Sequence, residues 1–209
     1  DRSMPTEVLW FSRLGGRNPV MYQPESNIVL VVGTLFCRPE QGFGDRSKAM
    51  WTALETLETF EANHPTAHNM ADAIFLLGLT NHQLGNHTIA IQYFDQYLEQ
   101  YPNIIDSYVL ELSGDAYRSL AKYSTSADYY ESAILKPRGT NINFLLLDKA
   151  EVLQAAGKTH ESIALFDLVA NNTKYDNTRA QMDYKRAQTM VAANQINTAI
   201  QYYKHAVNT

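Results

Sequence analysis

From Asp45 onward, apolar residues recur every three or four positions in paired stretches of about fourteen residues, and each pair is separated by a short polar turn. The stretch ADAIFLLGLTNHQLGNHTIAIQYFDQYLEQYPN, from Ala71 to Asn103, sets the pattern. It returns as SYVLELSGDAYRSLAKYSTSADYYESAILKP, then NFLLLDKAEVLQAAGKTHESIALFDLVANN, then AQMDYKRAQTMVAANQINTAIQYYKHAVNT. Each copy predicts two helices joined by a turn, and the copies start at Ala71, Ser107, Asn143 and Ala180. Residues 1–44 read differently. Pro5, Pro19, Pro24 and Pro39, with Gly15, Gly16, Gly33, Gly42 and Gly44, punctuate too often for long helices, which predicts loops with one or two short extended or helical pieces.

Aligned by position, the copies share more than their period. Position 8 holds Gly78, Gly114, Ala150 and Ala187, and position 20 holds Ala90, Ser126, Ser162 and Ala199. Two helices approach to about 8–10 Å only where the side chains at the crossing are short, so these residues mark where each pair of helices touches. Position 24 carries a large ring, Phe94, Tyr130, Phe166 and Tyr203, suited to fill the space toward the next pair. The turn position 15 holds Gly85, Ala121, Gly157 and Asn194. A half-match precedes the series: Ala53, Leu57 and Pro65 fall on positions 20, 24 and 32, with no regular first helix before them.

This pattern resembles the tetratricopeptide repeat, a helical hairpin of roughly 34 residues that stacks into a solenoid. The resemblance implies an all-α, right-handed solenoid of four hairpins, at 71–106, 107–142, 143–179 and 180–209, preceded by a capping helix at 45–65 and an irregular segment at 1–44. Thr209 falls just after a second helix whose apolar face is left without a cap, an arrangement expected of a fragment or of a chain covered there by another domain or subunit.

Charge and cysteine content narrow the function classes. Lys plus Arg total 17 against 22 Asp plus Glu, a net charge of -5, which removes the basic footprint of a nucleic-acid binder. Cys37 is the one cysteine, so neither an intrachain disulfide nor a cysteine-based zinc site is available, and the residue reads as a small buried apolar one. The most apolar run, Ile28 to Phe36, is interrupted by Gly33 and far shorter than the roughly 20 residues a spanning helix needs. Asn, Thr, Gln and Tyr outweigh Lys, a composition that leans toward a bacterial extracytoplasmic site, periplasmic or secreted.

Individual residues offer little chemistry. His64 and His68 have the i, i+4 spacing of paired metal ligands, but Pro65 intervenes and no glutamate completes an HExxH arrangement. His82 and His87 flank the turn at Gly85 and read as exposed turn residues. Glu131-Ser132 is similar to the acid motif of lytic transglycosylases, yet the glycine-containing stretch that follows in that family is missing and Glu131 falls on a position expected to be solvated. No nucleophile elbow, P-loop or dinucleotide fingerprint occurs, and no cofactor is implied. Asn86-His87-Thr88 and Asn171-Asn172-Thr173 fit the glycosylation sequon, a pattern short enough to recur by chance.

The resemblance also implies where a partner would bind. Repeats of this kind present a concave groove lined by positions 2, 5, 9 and 12 of each first helix. Those positions give Asp72, Phe75, Leu79 and His82; Tyr108, Glu111, Asp115 and Arg118; Phe144, Leu147, Glu151 and Gln154; and Gln181, Tyr184, Gln188 and Val191. Receptors for Hsp70 and Hsp90 tails carry Lys at position 5 and Asn at position 9, which Phe75 and Leu79 do not match. The mixed apolar and acidic lining suits an aromatic or basic peptide, or a helix of another subunit. Phe75, Leu79, Phe144 and Leu147 fit equally well as packing residues beneath the N-terminal segment or a neighbour. The expectation is a non-enzymatic scaffold that holds a peptide or protein segment. The alternative is the non-catalytic helical arm of a cell-wall lytic transglycosylase, or an assembly lipoprotein of the same repeat type.

Tyrosine is over-represented, with 13 against 8 Phe and 2 Trp. Nine of these tyrosines fall on recurring packing positions, with hydroxyls expected to reach water or backbone, whereas Tyr108 and Tyr184 fall on the groove.

Overall fold

The structure, a computed structural model, describes residues 20–23, 28–31, 43–137 and 142–208. Cys37 and the glycines at 15, 16 and 33 lie outside the described residues. The chain forms two compact units, Asp1–Tyr93 and Phe94–Thr209. In the first, strands β1 (Val20–Gln23) and β2 (Ile28–Val31) pair antiparallel with Val20 opposite Val31. Helices α1 (Phe43–Asn63) and α2 (Met70–Gln83) follow, then α3 (His87–Gln100), within which the unit boundary falls. The second unit continues with α4 (Asp106–Ser119), α5 (Tyr123–Ile134), α6 (Asn143–Ala155), α7 (Thr159–Asn172), α8 (Asp176–Ala192) and α9 (Ile196–Asn208). Apart from the two-stranded ribbon, the described residues form an all-α helical-repeat fold, and no described helix is long and apolar enough to cross a membrane.

Helix α1 is amphipathic. Met50, Ala53, Leu54, Leu57 and Phe60 are buried and pack toward α2, whose Ala73, Ile74 and Leu77 are buried, while Glu55 and Glu58 stay exposed. The helix starts at Phe43 rather than Asp45, and α8 starts at Asp176, ahead of the Ala180 where its copy begins by sequence. Asp176 in the first turn of α8 favours that earlier start through the positive end of the helix dipole.

All four turns close by one device. Gly85, Ala121, Gly157 and Asn194 have φ of 82°, 56°, 75° and 59°, the left-handed region. In each case the N–H of this residue bonds back three residues and the next N–H bonds back five, as with Gly85 to His82 and Asn86 to Asn81 at 3.1 and 2.9 Å. The same pair recurs as Ala121 to Arg118 with Lys122 to Tyr117, Gly157 to Gln154 with Lys158 to Leu153, and Asn194 to Val191 with Gln195 to Met190. This is the Schellman closure, which satisfies the last carbonyls of the first helix and aims the chain into the second. Glycine adopts it freely, whereas an alanine there carries a cost of about 1–2 kcal/mol.

In the second and third hairpins the short residues at positions 8 and 20 meet as expected, and the serines add a bond. Ser126 Oγ donates to the Gly114 carbonyl at 2.7 Å, and Ser162 Oγ donates to the Ala150 carbonyl at 2.8 Å. These hydroxyls are fully buried, so the facing carbonyl supplies the partner that water cannot. Gly114 is required for a further reason: a Cβ at this position would lie 2.9 Å from Cε1 of Tyr130. Between hairpins, Ala127, Tyr130 and Ala133 of α5 form one cluster with Leu145, Val152 and Leu153 of α6. Phe166, Val169 and Ala170 of α7 form the next with Met182 of α8, and Met190 packs with Ile163 and Ala199.

Candidate functional site

In the second unit, the first helices of the hairpins are tied to one another by charge. Arg118 on α4 donates to Glu151 Oε2 on α6 at 2.8 Å and stands 3.7 Å from Asp148. Lys185 on α8 donates to the other Glu151 oxygen, also at 2.8 Å. Glu151 therefore bridges three successive first helices. Burial would raise its pKa, but the bonds and charges of Lys185 and Arg118 outweigh that and hold the carboxyl below its ordinary value of 4.5. Asp115 is engaged separately, accepting a 2.6 Å bond from Tyr130 Oη. Burial, followed by the Asp115 charge and bond, pushes the Tyr130 phenol far up, so it remains a neutral donor.

These contacts change the reading of the groove. The charges of Asp115, Arg118 and Glu151 are answered within the protein, so the face is not a free acidic surface. Glu111 is only 3% exposed and belongs to the interior rather than to an open lining. Tyr108, Leu147 and Gln188 are half-buried. Among the groove positions of the second unit, the exposed apolar residues are Phe144 on α6 at 65% exposure, with Tyr184 and Val191 on α8 at 49% and 45%. Tyr184 is not a loose side chain, since its ring lies 5.6 Å from that of Tyr203. Phe75 and Leu79, half-buried on α2, lie in the first unit.

Lys185 and Asp148 were not singled out by sequence, although both fall on position 6, adjacent to the groove positions. The signal was present as opposite charges in successive copies: Arg118 at position 12 against Glu151 at position 9, and Glu151 against Lys185. Reading it requires the register between copies, not only within them.

Three of the tyrosine hydroxyls depart from the expectation of water or backbone and reach carboxylates: Tyr93 donates to Glu61 at 3.3 Å, Tyr129 to Asp95 at 3.2 Å and Tyr130 to Asp115. Burial and the neighbouring Glu61 push the Tyr93 phenol up to about 12. The histidines at the first turn are half-buried rather than exposed, with the rings of His82 and His87 edge to face at 5.1 Å. His64 stacks on Phe60 at 5.4 Å, and His68 stands beside Asp72, so the i, i+4 pair is divided between different neighbours. No group of three or more His, Cys, Asp or Glu able to hold a metal occurs among the described residues. Glu131 is exposed and pairs with Lys149 at 2.5 Å, a setting unlike the apolar pocket that a catalytic acid requires.

Residues 72–103 match the family model described as Tetratricopeptide repeat. No curated protein matches the chain in sequence. Solved structures share the fold at low identity. MamA from Desulfovibrio magneticus RS-1 is 13% identical, with a TM-score of 0.61 over 78% of this chain and 86% of that one. The nearly identical TPR-like repeats of a Podosopora anserina kinesin light chain protein are 14% identical, with a TM-score of 0.63 over 78% and 88%. BtubC from P. vanneervenii is 10% identical, with a TM-score of 0.59 over 79% and 78%. The chain thus carries the tetratricopeptide-type helical-repeat fold.

Proposed function

We propose that the chain is a non-enzymatic interaction scaffold whose first helices in the second unit hold a peptide or protein segment. The observation that carries this reading is the pair of exposed aromatics, Phe144 and Tyr184, on helices whose charged residues are already bridged through Glu151. Exposed large apolar side chains on a braced surface are what an interface core uses, because they release water on contact without ordering the scaffold further. With Asp115 and Glu151 engaged by the protein's own donors, recognition there rests on apolar contact, and the partner segment presents aliphatic or aromatic side chains rather than a run of basic ones. The tetratricopeptide-type fold supports an interaction role of this kind.

The test is recovery of partners by immobilised chain from the source extract, comparing wild type with Phe144→Glu and Tyr184→Ala, and with Phe75→Glu on α2. Both side chains of the second unit are exposed, so these variants keep the fold, which circular dichroism checks. Loss of the same bands from Phe144→Glu and Tyr184→Ala is the expected result; unchanged recovery of every band contradicts the reading.

A further inference from the structure

The turn between α2 and α3 carries side chains that the other three turns lack. It places His82 at position 12 and His87 at position 17, one on each side of the Schellman closure, and no other copy has a histidine at either position. One residue earlier on each helix stands an asparagine. Asn86 Nδ2 donates to Asn81 Oδ1 at 3.1 Å, and Asn81, only 1% exposed, is held in turn by donating its own Nδ2 to the Leu77 carbonyl at 3.0 Å. This bond, with the backbone bonds from Gly85 to His82 and from Asn86 to Asn81, fixes the two helix ends and sets the imidazoles side by side. Their ring centres lie 5.1 Å apart with the planes at 61°. His87 Nδ1 is buried and has no hydrogen-bond partner among the described residues. A ring nitrogen buried in that way is costly, and a cation bound to it removes the cost.

We infer that His82 and His87 form a two-histidine site for a divalent late transition metal, Zn²⁺ by its geometry, with water completing the coordination. Neutral imidazole is a ligand for Zn²⁺ and Cu²⁺, whereas Mg²⁺ and Ca²⁺ take oxygen. The ring separation then chooses between the first two. Imidazoles bound at about 2.0–2.1 Å have ring centres about 5 Å apart at the tetrahedral angle of Zn²⁺ and about 4.5 Å apart at the right angle of tetragonal Cu²⁺. The observed 5.1 Å fits the tetrahedral case. Among the described residues no third His, Cys, Asp or Glu joins the pair, and both rings are half-buried, so solvent reaches the remaining coordination places. Both histidines lie in the first unit, and the site is independent of the aromatics of α6 and α8.

The experiment adds Zn²⁺ alone to the metal-free whole chain and reads binding by competition with a chromophoric zinc indicator. Wild type is compared with His82→Gln, His87→Gln and, as a control from the other closely spaced histidine pair, His68→Gln, with circular dichroism confirming that each remains folded. Wild type binds one Zn²⁺ per chain. Either His82→Gln or His87→Gln weakens binding by more than about tenfold, as expected when one of two protein ligands is lost, and His68→Gln leaves it at the wild-type level. A second readout needs no variant: Zn²⁺ shifts the imidazole ¹⁵N resonances of His82 and His87 in the wild-type chain, and Co²⁺ in its place gives the intense visible absorption of tetrahedral coordination. No binding, binding that neither His82→Gln nor His87→Gln weakens, or an equal loss from His68→Gln overturns the inference. So do resonances of His82 and His87 that stay in place on addition of Zn²⁺, or a weak octahedral Co²⁺ spectrum.

Discussion

The second and third hairpins, α4–α5 and α6–α7, solve the same crossing in two ways. In the second, Gly114 faces Tyr130, whose hydroxyl is tied to Asp115; in the third, Ala150 occupies the same position and Phe166 replaces the tyrosine. Both rings are fully buried and both crossings carry a serine hydroxyl on the facing carbonyl. In the second hairpin the ring whose hydroxyl is anchored on Asp115 lies so close to the first helix that no Cβ fits at position 114, whereas the third accommodates the methyl group of Ala150. The hydroxyl alone does not decide the choice, since the first copy pairs Gly78 with Phe94 and the fourth pairs Ala187 with Tyr203. What requires glycine at 114 is the position of the Tyr130 ring.

The strongest way to break this comparison is Gly114→Ala. Placing a methyl group 2.9 Å from a buried, anchored ring overpacks the crossing, and urea unfolding should show a loss of about 1–3 kcal/mol. Equal stability of Gly114→Ala and wild type would show that the Tyr130 ring moves aside despite its bond to Asp115.

A smaller effect is expected at the bridge between hairpins. Because the Glu151 carboxyl is held below its ordinary value of 4.5, the folded state binds its proton less readily than the unfolded state does. Its contribution is fully present above the ordinary carboxylate range and is lost as pH falls through the depressed folded value. Wild type should lose more stability than Glu151→Gln between about pH 5 and pH 3, by a fraction of a kcal/mol to about 1 kcal/mol for so partly exposed a group. Parallel pH profiles for the two proteins would contradict the bridge.

The smallest expected change concerns the turns, where the second hairpin again differs from the third. Ala121 holds a positive φ that Gly157 adopts without strain. Ala121→Gly should raise the urea midpoint slightly, through a gain of about 0.5 kcal/mol in unfolding free energy once the added freedom of the unfolded chain is set against the relieved strain. A lowered midpoint would mean that the turn carries no strain at Ala121.

Much of this was legible in the sequence because it is local to one copy. The period, the small residues at the crossings and the turn residues repeat in phase, and each depends on neighbours a fixed number of residues away. The earlier start of α8 at Asp176 was hidden because the copies align only from Ala180, after the variable linker. The state of the candidate site was less visible. Whether Asp115 and Glu151 meet solvent or a donor depends on Tyr130, Arg118 and Lys185, which lie on other helices. Position within a repeat placed Glu111 beside them, yet it is buried. The exposure of Phe144 and Tyr184 likewise follows from what neighbouring helices leave uncovered, which no single copy encodes.

The most direct measurement compares two added charges on the same hairpin: partner recovery by Phe144→Glu, on the face formed by the first helices, against recovery by Ala164→Glu, at an exposed position of the second helix. The account predicts that Phe144→Glu loses the partner while Ala164→Glu retains it at the wild-type level. Retention by both, or equal loss from both, would contradict the assignment of the binding surface to the first helices.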